Sequence, residues 1–382
     1  MSLCWGHSVD NLVGAVELEA IVFLALRDLR VGKARFLLVG VVIALVGLLT
    51  TLLSGLATGL VDDGISGLRG LPLTGLALQP GAQSSFSRST LRPENLKPWT
   101  EAKGIDVAPL GVSFLNAKTS SGETLDLAVF GTPPDSFLAP NAEARAALAG
   151  RPGIVLSETF RKEGVKVGDE LTIVGPDEKL PVLGFTYTGS YGHVDIAFTS
   201  LAVWQHLVYG DNADGRFSAV AIRGGDAATR TAADGAAGTV TETKAHAYAG
   251  SPGYAAETAT MSLIRGFLLA ISALIVGAFF TVWTIERTHQ IGLMKALGAS
   301  NAYVLRDSLG QLAVVLVAAT AAGAGTAVLL GQLIGDGVPF SLQAGPVVTS
   351  SLILILLGLV GSLVAVRRVT RVDPIISLGA GQ

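Results

Sequence analysis

The chain has 382 residues, of which 50% are hydrophobic and only 15% are charged, whereas soluble domains carry about 25% charged residues. This deficit of charge is local, which is typical of bilayer-spanning segments in an otherwise ordinary sequence. The net charge of −3 excludes a global basic field that would attract nucleic acid. The single cysteine, Cys4, excludes an intrachain disulfide.

The first 21 residues lack the pattern of a secretory signal peptide, because no basic region precedes an apolar stretch. We predict that the natural protein starts near Val22 and that residues 1–21 are a misassigned start. The alternative is a short amphipathic helix at the cytoplasmic face. In both cases residues 1–35 form the cytoplasmic N-terminal segment.

Four charge-free segments are long enough to cross a bilayer, which takes about 20 residues. They are apolar on all sides, whereas the helices of a soluble core are amphipathic. The predicted transmembrane helices are residues 36–61, 266–285, 309–335 and 346–366. Small residues at four-residue spacing favour close packing of these helices, in the pairs Gly55 and Gly59, Ala273 and Gly277, and Gly331 and Gly335.

Residues 62–265, between the first two spans, are numerous enough to form a core of their own. Short β-branched and aromatic runs, separated by Gly, Pro and Asp, predict strands at 107–114, 124–130, 153–157, 170–174, 180–188, 196–199 and 217–222. Helices are predicted at 142–148, 201–208 and 255–261, the last continuing into the second span. The predicted fold class is an α-helical membrane protein with four transmembrane helices and an inserted extracytoplasmic α+β domain between helices 1 and 2.

Three clusters of basic residues lie beside the spans. They are Arg27, Arg30, Lys33 and Arg35 before the first span, Arg287, Lys295 and Arg306 between the second and third, and Arg367, Arg368 and Arg371 after the fourth. The loop 336–345 contains no Lys or Arg. By the positive-inside rule, both termini and the loop 286–308 are cytoplasmic, whereas 62–265 and 336–345 lie outside the cell membrane.

The chain contains no phosphate-binding loop of the Gly-x-x-x-x-Gly-Lys-Ser/Thr type and no metalloprotease or serine-hydrolase motif. We therefore predict no catalytic residues, no intrinsic cofactor and no metal site of the protein's own. A membrane enzyme is the least favoured interpretation.

The loop after the second span carries an apolar stripe at three- and four-residue spacing, formed by Ile291, Met294, Leu297 and Gly298, with Gly298 ending the helix. A short amphipathic helix at the membrane face can dock into a groove of another protein. The alternative is a helix that lies in the lipid headgroups.

This loop, Glu-Arg-x-x-x-Ile-Gly-x-x-Lys-Ala-Leu-Gly-Ala from Glu286, resembles the signature of FtsX/MacB-type ABC transporter permeases. Val-Asp-Pro-Ile-Ile-Ser-Leu at 372–378 and Leu-Arg-Asp-Leu-Arg from Leu26 are also similar to that family. Gln290 stands where the family usually has an acidic residue. The resemblance implies that the ATPase partner is contacted by Glu286, Ile291, Gly292, Met294, Lys295, Leu297 and Gly298.

The resemblance also implies a homodimer served by two copies of a separate ABC ATPase subunit, in contact with membrane lipid. Length and the compact outside domain most resemble the HrtB-type haem exporters and the related DevC-type permeases. The expected function is efflux of a hydrophobic or amphipathic substrate, and the expected substrate is haem taken from the outer leaflet. The alternative is a mechanotransmitting permease that releases lipoproteins or regulates an extracytoplasmic partner.

If haem is the substrate, its site is expected where the domain meets the spans. The candidates in the stretch before the second span are His246, Tyr254, Glu257, Met261 and Arg265. Met261 or Glu257 would ligate the iron, and Arg265 would bind a propionate. Phe86 and Arg88 are candidates for the opposite wall. The alternative is that these side chains only pack or anchor the helix at the interface.

Overall fold

The computed structural model describes residues 33–286, 288–335 and 338–369. Several predicted features lie outside the described residues: the segment 1–21, the motif at 372–378, and Arg27, Arg30, Arg287 and Arg371. The chain forms two compact units, one of Met1–Gly59 with Thr260–Gln382 and one of Leu60–Ala259. We call the first the helical unit and the second the domain.

The helices, in chain order, are α1 (Lys33–Gly70), α2 (Pro93–Glu101), α3 (Ala142–Gly150), α4 (Glu158–Lys162), α5 (Leu201–Tyr209), α6 (Ala227–Ala237), α7 (Lys244–Ala247), α8 (Tyr254–Glu286), α9 (Thr288–Ala296), α10 (Asn301–Gly331) and α11 (Ala344–Val369). The strands are β1 (Gly75–Leu78), β2 (Ile105–Lys118), β3 (Thr124–Thr132), β4 (Ile154–Ser157), β5 (Glu170–Ile173), β6 (Glu178–Thr186), β7 (Ser190–Tyr191), β8 (Val194–Ser200), β9 (Ala219–Gly224) and β10 (Val240–Thr243).

Four of these helices, α1, α8, α10 and α11, are long and apolar enough to cross a membrane. The 38 residues of α1 span about 57 Å at 1.5 Å per residue, against about 30 Å of hydrocarbon. Both α1 and α8 continue past their apolar runs through charged residues such as Asp62 and Glu257. Charged residues end an apolar run without breaking a helix, so these two helices are longer than the charge-free segments.

Glycines bring the backbones of the helical unit close together. A Cβ at Gly323 of α10 would lie 2.1 Å from the carbonyl oxygen of Ala44 in α1, and one at Gly361 of α11 would lie 3.0 Å from that of Ala273 in α8. Gly55 and Gly59 instead receive the loop before α11, because their Cβ atoms would lie 2.6 Å from the ring of Phe340 and 2.2 Å from the oxygen of Pro339. Small residues therefore determine where these helices, and the loop before α11, come close to one another.

The outward side chains of these helices are apolar. Leu37 of α1, Phe267 and Leu274 of α8, and Leu356 of α11 have 68%, 62%, 72% and 62% of their surface exposed. A large exposed apolar surface is unfavourable in water, and it suits contact with lipid tails. The inner side chains form one cluster that includes Ile43, Val276, Phe280, Leu312 and Leu316.

The domain is built on one ten-stranded sheet with the order β10-β1-β9-β2-β3-β8-β4-β6-β5, to which β7 adds beside β8. The long strand β2 pairs with β9 along its first half and with β3 along its second half. Its end also pairs with β5, so β2, β3, β8, β4, β6 and β5 close into a ring. Pairs β3–β8 and β4–β6 are parallel. The sheet and its helices make an α+β domain inserted between α1 and α8, as predicted.

Three apolar clusters fill the domain. The interior of the ring includes Ile154, Leu171, Val182 and Trp204. A second cluster joins the C-terminal end of α1 to the hairpin β7–β8 and to β3 through Leu68, Tyr191, Phe130 and Phe198. A third, with Trp99 and Phe217, covers the opposite face of β1 and β9. The second cluster places the hairpin β7–β8 against the C-terminal end of α1.

Candidate functional site

His193 connects the ends of two long helices within the domain. It occupies the two-residue turn between β7 and β8, where Gly192 has φ 61° and His193 has φ 63°, as a type I′ hairpin turn requires. Its Nδ1 lies 2.9 Å from Oδ2 of Asp63 on α1, and its Nε2 lies 2.9 Å from Oε1 of Glu257 on α8. We call Asp63, His193 and Glu257 the His193 bridge.

Further hydrogen bonds hold the hairpin on α1. The Ser190 hydroxyl donates to Oδ1 of Asp63 at 3.0 Å. The backbone N–H of Gly192 donates to the oxygen of Gly64 at 2.9 Å, and the Ser251 hydroxyl donates to the same oxygen at 2.7 Å. The backbone of α1 after its apolar run is thus bonded to two other segments of the domain.

The electrostatics of the bridge favour a charged imidazole. Partial burial lowers the pKa of His193, but the hydrogen bonds and charges of Asp63 and Glu257 outweigh this effect and raise the pKa above its ordinary value. Only the protonated imidazole donates from both ring nitrogens, so this form bonds both carboxylates at once. Among the described residues, no group of three or more His, Cys, Asp or Glu side chains is placed to hold a metal ion, and the bridge is an ion-paired contact.

The predicted substrate residues of α8 already have neighbours. Glu257 is bonded to His193. Arg265 donates through Nη2 to the backbone oxygen and hydroxyl of Ser54 on α1, at 3.1 and 3.2 Å. Met261 is partly exposed and lies one turn from each of them. Tyr254 packs near Tyr248, with ring centroids 6.4 Å apart.

The remaining three candidates are dispersed over the domain. His246 is on α7, with 78% of its side chain exposed and Nδ1 3.5 Å from Glu242. Phe86 is 4% exposed, and its ring lies 5.6 Å from that of Tyr191 in the core. Arg88 is exposed and bonds Gln83. Phe86 therefore belongs to the interior of the domain.

The predicted coupling helix is α9, and it ends in a Schellman motif. Gly298 has φ 99°, and the N–H of Ala299 donates to the oxygen of Met294 at 2.9 Å. Ile291 is only 7% exposed, whereas Leu293 and Leu297 are 54% and 83% exposed.

The other predicted coupling residues differ in exposure. Gly292 is buried, Met294 is half-buried and Glu286 is exposed, while the side chain of Lys295 lies outside the described part of the chain. The exposed apolar surface of α9 is thus formed by Leu293 and Leu297 rather than by Ile291.

Sequence reasoning missed His193 and Leu293. A weak signal near His193 was Gly192, because glycine readily takes the positive φ that a two-residue hairpin turn needs. No local signal pointed to its partners, which are 130 and 64 residues away along the chain.

Comparison with known proteins identifies the family. Residues 262–374 match the family described as FtsX-like permease C-terminal. Over 359 residues the chain is 23% identical to a Staphylococcus epidermidis protein named as hemin transport system permease protein HrtB, covering 94% of this chain and 99% of that protein. It is 25% identical over 360 residues to an uncharacterized ABC transporter permease of Mycobacterium tuberculosis, with the same two coverages.

Among solved structures, the periplasmic region of MacB from Actinobacillus actinomycetemcomitans aligns with a TM-score of 0.34 and 12% identity, over 48% of this chain and 94% of that one. The family match includes α8 to α11, which contain three of the four long apolar helices. The relatives align along nearly their whole length. The chain is a multi-pass membrane protein of the FtsX-like family of ABC transporter permeases.

Proposed function

We propose that this permease exports haem, which it takes from the outer leaflet of the cell membrane, and that a separate ATPase subunit drives the export. The observation that carries the proposal is the similarity to HrtB along 94% of the chain. The absence of a phosphate-binding loop from the sequence supports ATP hydrolysis in a partner. The working assembly is a homodimer of this chain with two copies of the ATPase.

The proposed orientation places both termini and α9 in the cytoplasm and the domain outside. Its support is the distribution of Lys and Arg, which flank the spans on the side of the termini and α9 and do not occur in residues 336–345. With this orientation the first half of α8 lies at the depth of the outer leaflet.

The proposed haem contact is on α8. Of the two predicted iron ligands, Met261 is favoured, because the carboxylate of Glu257 is bonded to His193. A methionine thioether ligates haem iron. One turn further on, the hydrogen bonds of Arg265 to Ser54 are made by Nη2, and a guanidinium has five N–H donors, so others remain for a haem propionate.

Titration of haemin into the purified full-length protein tests this assignment through the Soret band. Met261→Leu keeps the side-chain volume and removes the sulfur, so we expect a shifted Soret band and affinity at least tenfold lower. Met294→Leu, the same change on α9, is the matched control and should behave as the parent.

An unshifted band and unchanged affinity in Met261→Leu would refute the ligand. A parent protein that binds no haemin would refute the substrate. The second outcome would favour the alternative function, a permease that transmits force to an extracytoplasmic partner.

The proposed ATPase contact is the exposed apolar surface of α9. Leu293 and Leu297 are four residues apart and so share one face of the helix, and both are more than half exposed. A helix that presents apolar side chains at this spacing fits a hydrophobic groove of a partner protein. Ile291, whose side chain is buried, instead holds α9 on the helical unit.

A further inference from the structure

A groove of about 620 Å³ runs along the helical unit between α10 and α11. Its wall is almost entirely apolar, and every residue that lines it is at least partly exposed. Leu356 and Val360 of α11 form one edge and are 62% and 51% exposed. On the side of α10 the wall includes Gly310 and Ala313, whose small size leaves room for the groove.

The groove is about as long as one leaflet is deep. On α10 its wall extends from Ala302 to Ala313, which is about 16 Å at 1.5 Å per residue. The hydrocarbon of a bilayer is about 30 Å thick, so each leaflet contributes about 15 Å of it. A transmembrane helix of a partner would need a groove along the whole thickness, whereas a lipid acyl chain extends through one leaflet.

One end of the groove is at the level of lipid headgroups. Arg306 lines this end and is exposed. It stands three residues before the charge-free run that begins at Leu309, and one turn after Tyr303, which is 56% exposed. Basic and aromatic side chains at the end of an apolar run are typical of the membrane–water interface. The stem of Arg306 can thus lie along the apolar wall while its guanidinium faces the headgroups.

The antiparallel course of α10 and α11 brings more positive charge to the same end. A Cβ at Gly358 of α11 would lie 3.0 Å from the side chain of Leu316 in α10, so these two residues are at about the same level. Ten residues from this contact stand Arg306 on α10 and, on α11, the two arginines at 367–368. The side chains of those two lie outside the described residues. Asp307 is the one acidic residue of the sequence at this level, so the net charge there is positive.

The wall suits an alkyl chain better than haem. Apart from Arg306, its described residues are Ala, Gly, Leu and Val, and none of these ligates haem iron as His, Met, Cys and Tyr do. A guanidinium has five N–H donors, so Arg306 can bind a phosphate in addition to its neighbours in the chain. Basic pockets between transmembrane helices on the cytoplasmic side bind anionic lipid headgroups.

We propose that this groove binds one anionic phospholipid, with an acyl chain along α10 and α11 and the headgroup phosphate at Arg306. In the proposed orientation of the chain, this lipid belongs to the cytoplasmic leaflet. The site is separate from the proposed haem contact, because no residue of that contact lines the groove.

Native mass spectrometry of the full-length protein in detergent counts bound lipids and tests the headgroup. The probes are palmitoyl-oleoyl phosphatidylglycerol, which is anionic, and phosphatidylcholine with the same two chains, which has no net charge. We expect one phosphatidylglycerol to bind saturably per chain. Phosphatidylcholine should bind at least fivefold more weakly, since each basic residue near a headgroup contributes about a factor of five. A detergent micelle has no leaflets, so this result does not depend on the orientation.

Arg306→Gln tests the charge. It keeps a polar side chain and removes the cation, so it should weaken the binding of phosphatidylglycerol about fivefold and leave phosphatidylcholine unchanged. Arg151→Gln is the matched control, because Arg151 is an exposed arginine of the domain. It should bind both lipids as the parent does.

Ala313→Phe tests the groove, because the larger ring occupies space that an acyl chain would fill. Exclusion of about two methylene groups predicts at least tenfold weaker binding of both lipids. Ala318→Phe is the matched control, since Ala318 is an exposed residue of α10 outside the groove.

Binding of several phosphatidylglycerol molecules per chain without saturation, or equal affinity for the two lipids, would overturn the proposal of a specific anionic site. Equal loss of both lipids in Arg306→Gln would overturn the role of its charge. Unchanged binding in Ala313→Phe would overturn the placement of the acyl chain.

Discussion

The His193 bridge predicts a domain whose stability falls as the pH rises. The folded-state pKa of His193 is above its ordinary value, so the folded state binds the proton more tightly than the unfolded state does. The stabilisation is complete below the unfolded pKa of about 6.5, and it is lost as the pH rises through the folded-state pKa. This pH dependence is opposite to that of a salt-bridged carboxylate.

The size of the effect follows from exposure. The side chains of His193, Asp63 and Glu257 are 30%, 41% and 27% exposed, so solvent screens both contacts. We expect about 0.5–1 kcal/mol for each contact, between a surface ion pair and a buried charged hydrogen bond. The sum of about 1–2 kcal/mol corresponds to about 2–8 °C in Tm for a domain of this size.

The test replaces His193 with Asn, which tolerates the positive φ of this turn and cannot be protonated. Thermal unfolding of the parent and of His193→Asn is followed at pH 6.0 and pH 9.0. We expect a difference in Tm at pH 6.0 that shrinks at pH 9.0. Other titrating groups, such as Asp195, whose pKa is raised by burial, cancel in the difference between the two proteins.

His206→Asn is the control, because His206 is 54% exposed and has one carboxylate neighbour, at 3.5 Å. It should change Tm little at either pH. If the difference in Tm between the parent and His193→Asn is the same at both pH values, the charged bridge is refuted. The stabilisation by His193 would then come from the turn and not from its charge.

Two further predictions concern the helical unit. Leu297→Glu puts a charge on a side chain that is 83% exposed, so the protein should fold, but copurification of the ATPase subunit should fall at least tenfold because an unpaired charge would be buried in the contact. Val167→Glu, on a side chain of the domain that is 58% exposed, is the control, and full complex formation by Leu297→Glu would contradict the docking surface. Gly323→Ala places a Cβ 2.1 Å from the Ala44 oxygen, so it should destabilise the protein by about 1–3 kcal/mol and lower its Tm in detergent. Gly325→Ala is the control and should be neutral, because its Cβ meets nothing within 4 Å. Equal Tm values for the two variants would contradict the close approach of α1 and α10.

Much of the fold could be predicted from local patterns. Helices that face lipid must be apolar on all sides, so the four long helices are visible as charge-free runs. The seven predicted strands correspond to β2, β3, β4, β5, β6, β8 and β9. Three strands were missed: β1 (Gly-Leu-Ala-Leu) is buried but has no β-branched or aromatic residue, β7 has only two residues, and β10 (Val-Thr-Glu-Thr) has both ends exposed. Propensity and alternation cannot identify a strand of that kind.

The polar contacts of the domain could not be predicted in the same way. Asp63, His193 and Glu257 stand in three separate segments, and each has an ordinary local context. Their meeting depends on the register of the sheet and on the point at which β7 turns into β8. A pairing over 130 residues leaves no periodic trace in the sequence.

Local sequence patterns also do not show which residues of α9 are buried by the chain itself. A stripe of apolar residues shows that one face of a helix is buried, but it does not show whether the chain itself or a partner covers that face. Ile291 and Leu297 both belong to the predicted stripe, yet the first is 7% exposed and the second 83%. The fold has used one edge of the stripe to hold α9 in place. The opposite edge, which continues to Leu293, stays exposed to water unless a partner protein buries it. For a permease of this family, a docked ATPase subunit would bury this edge.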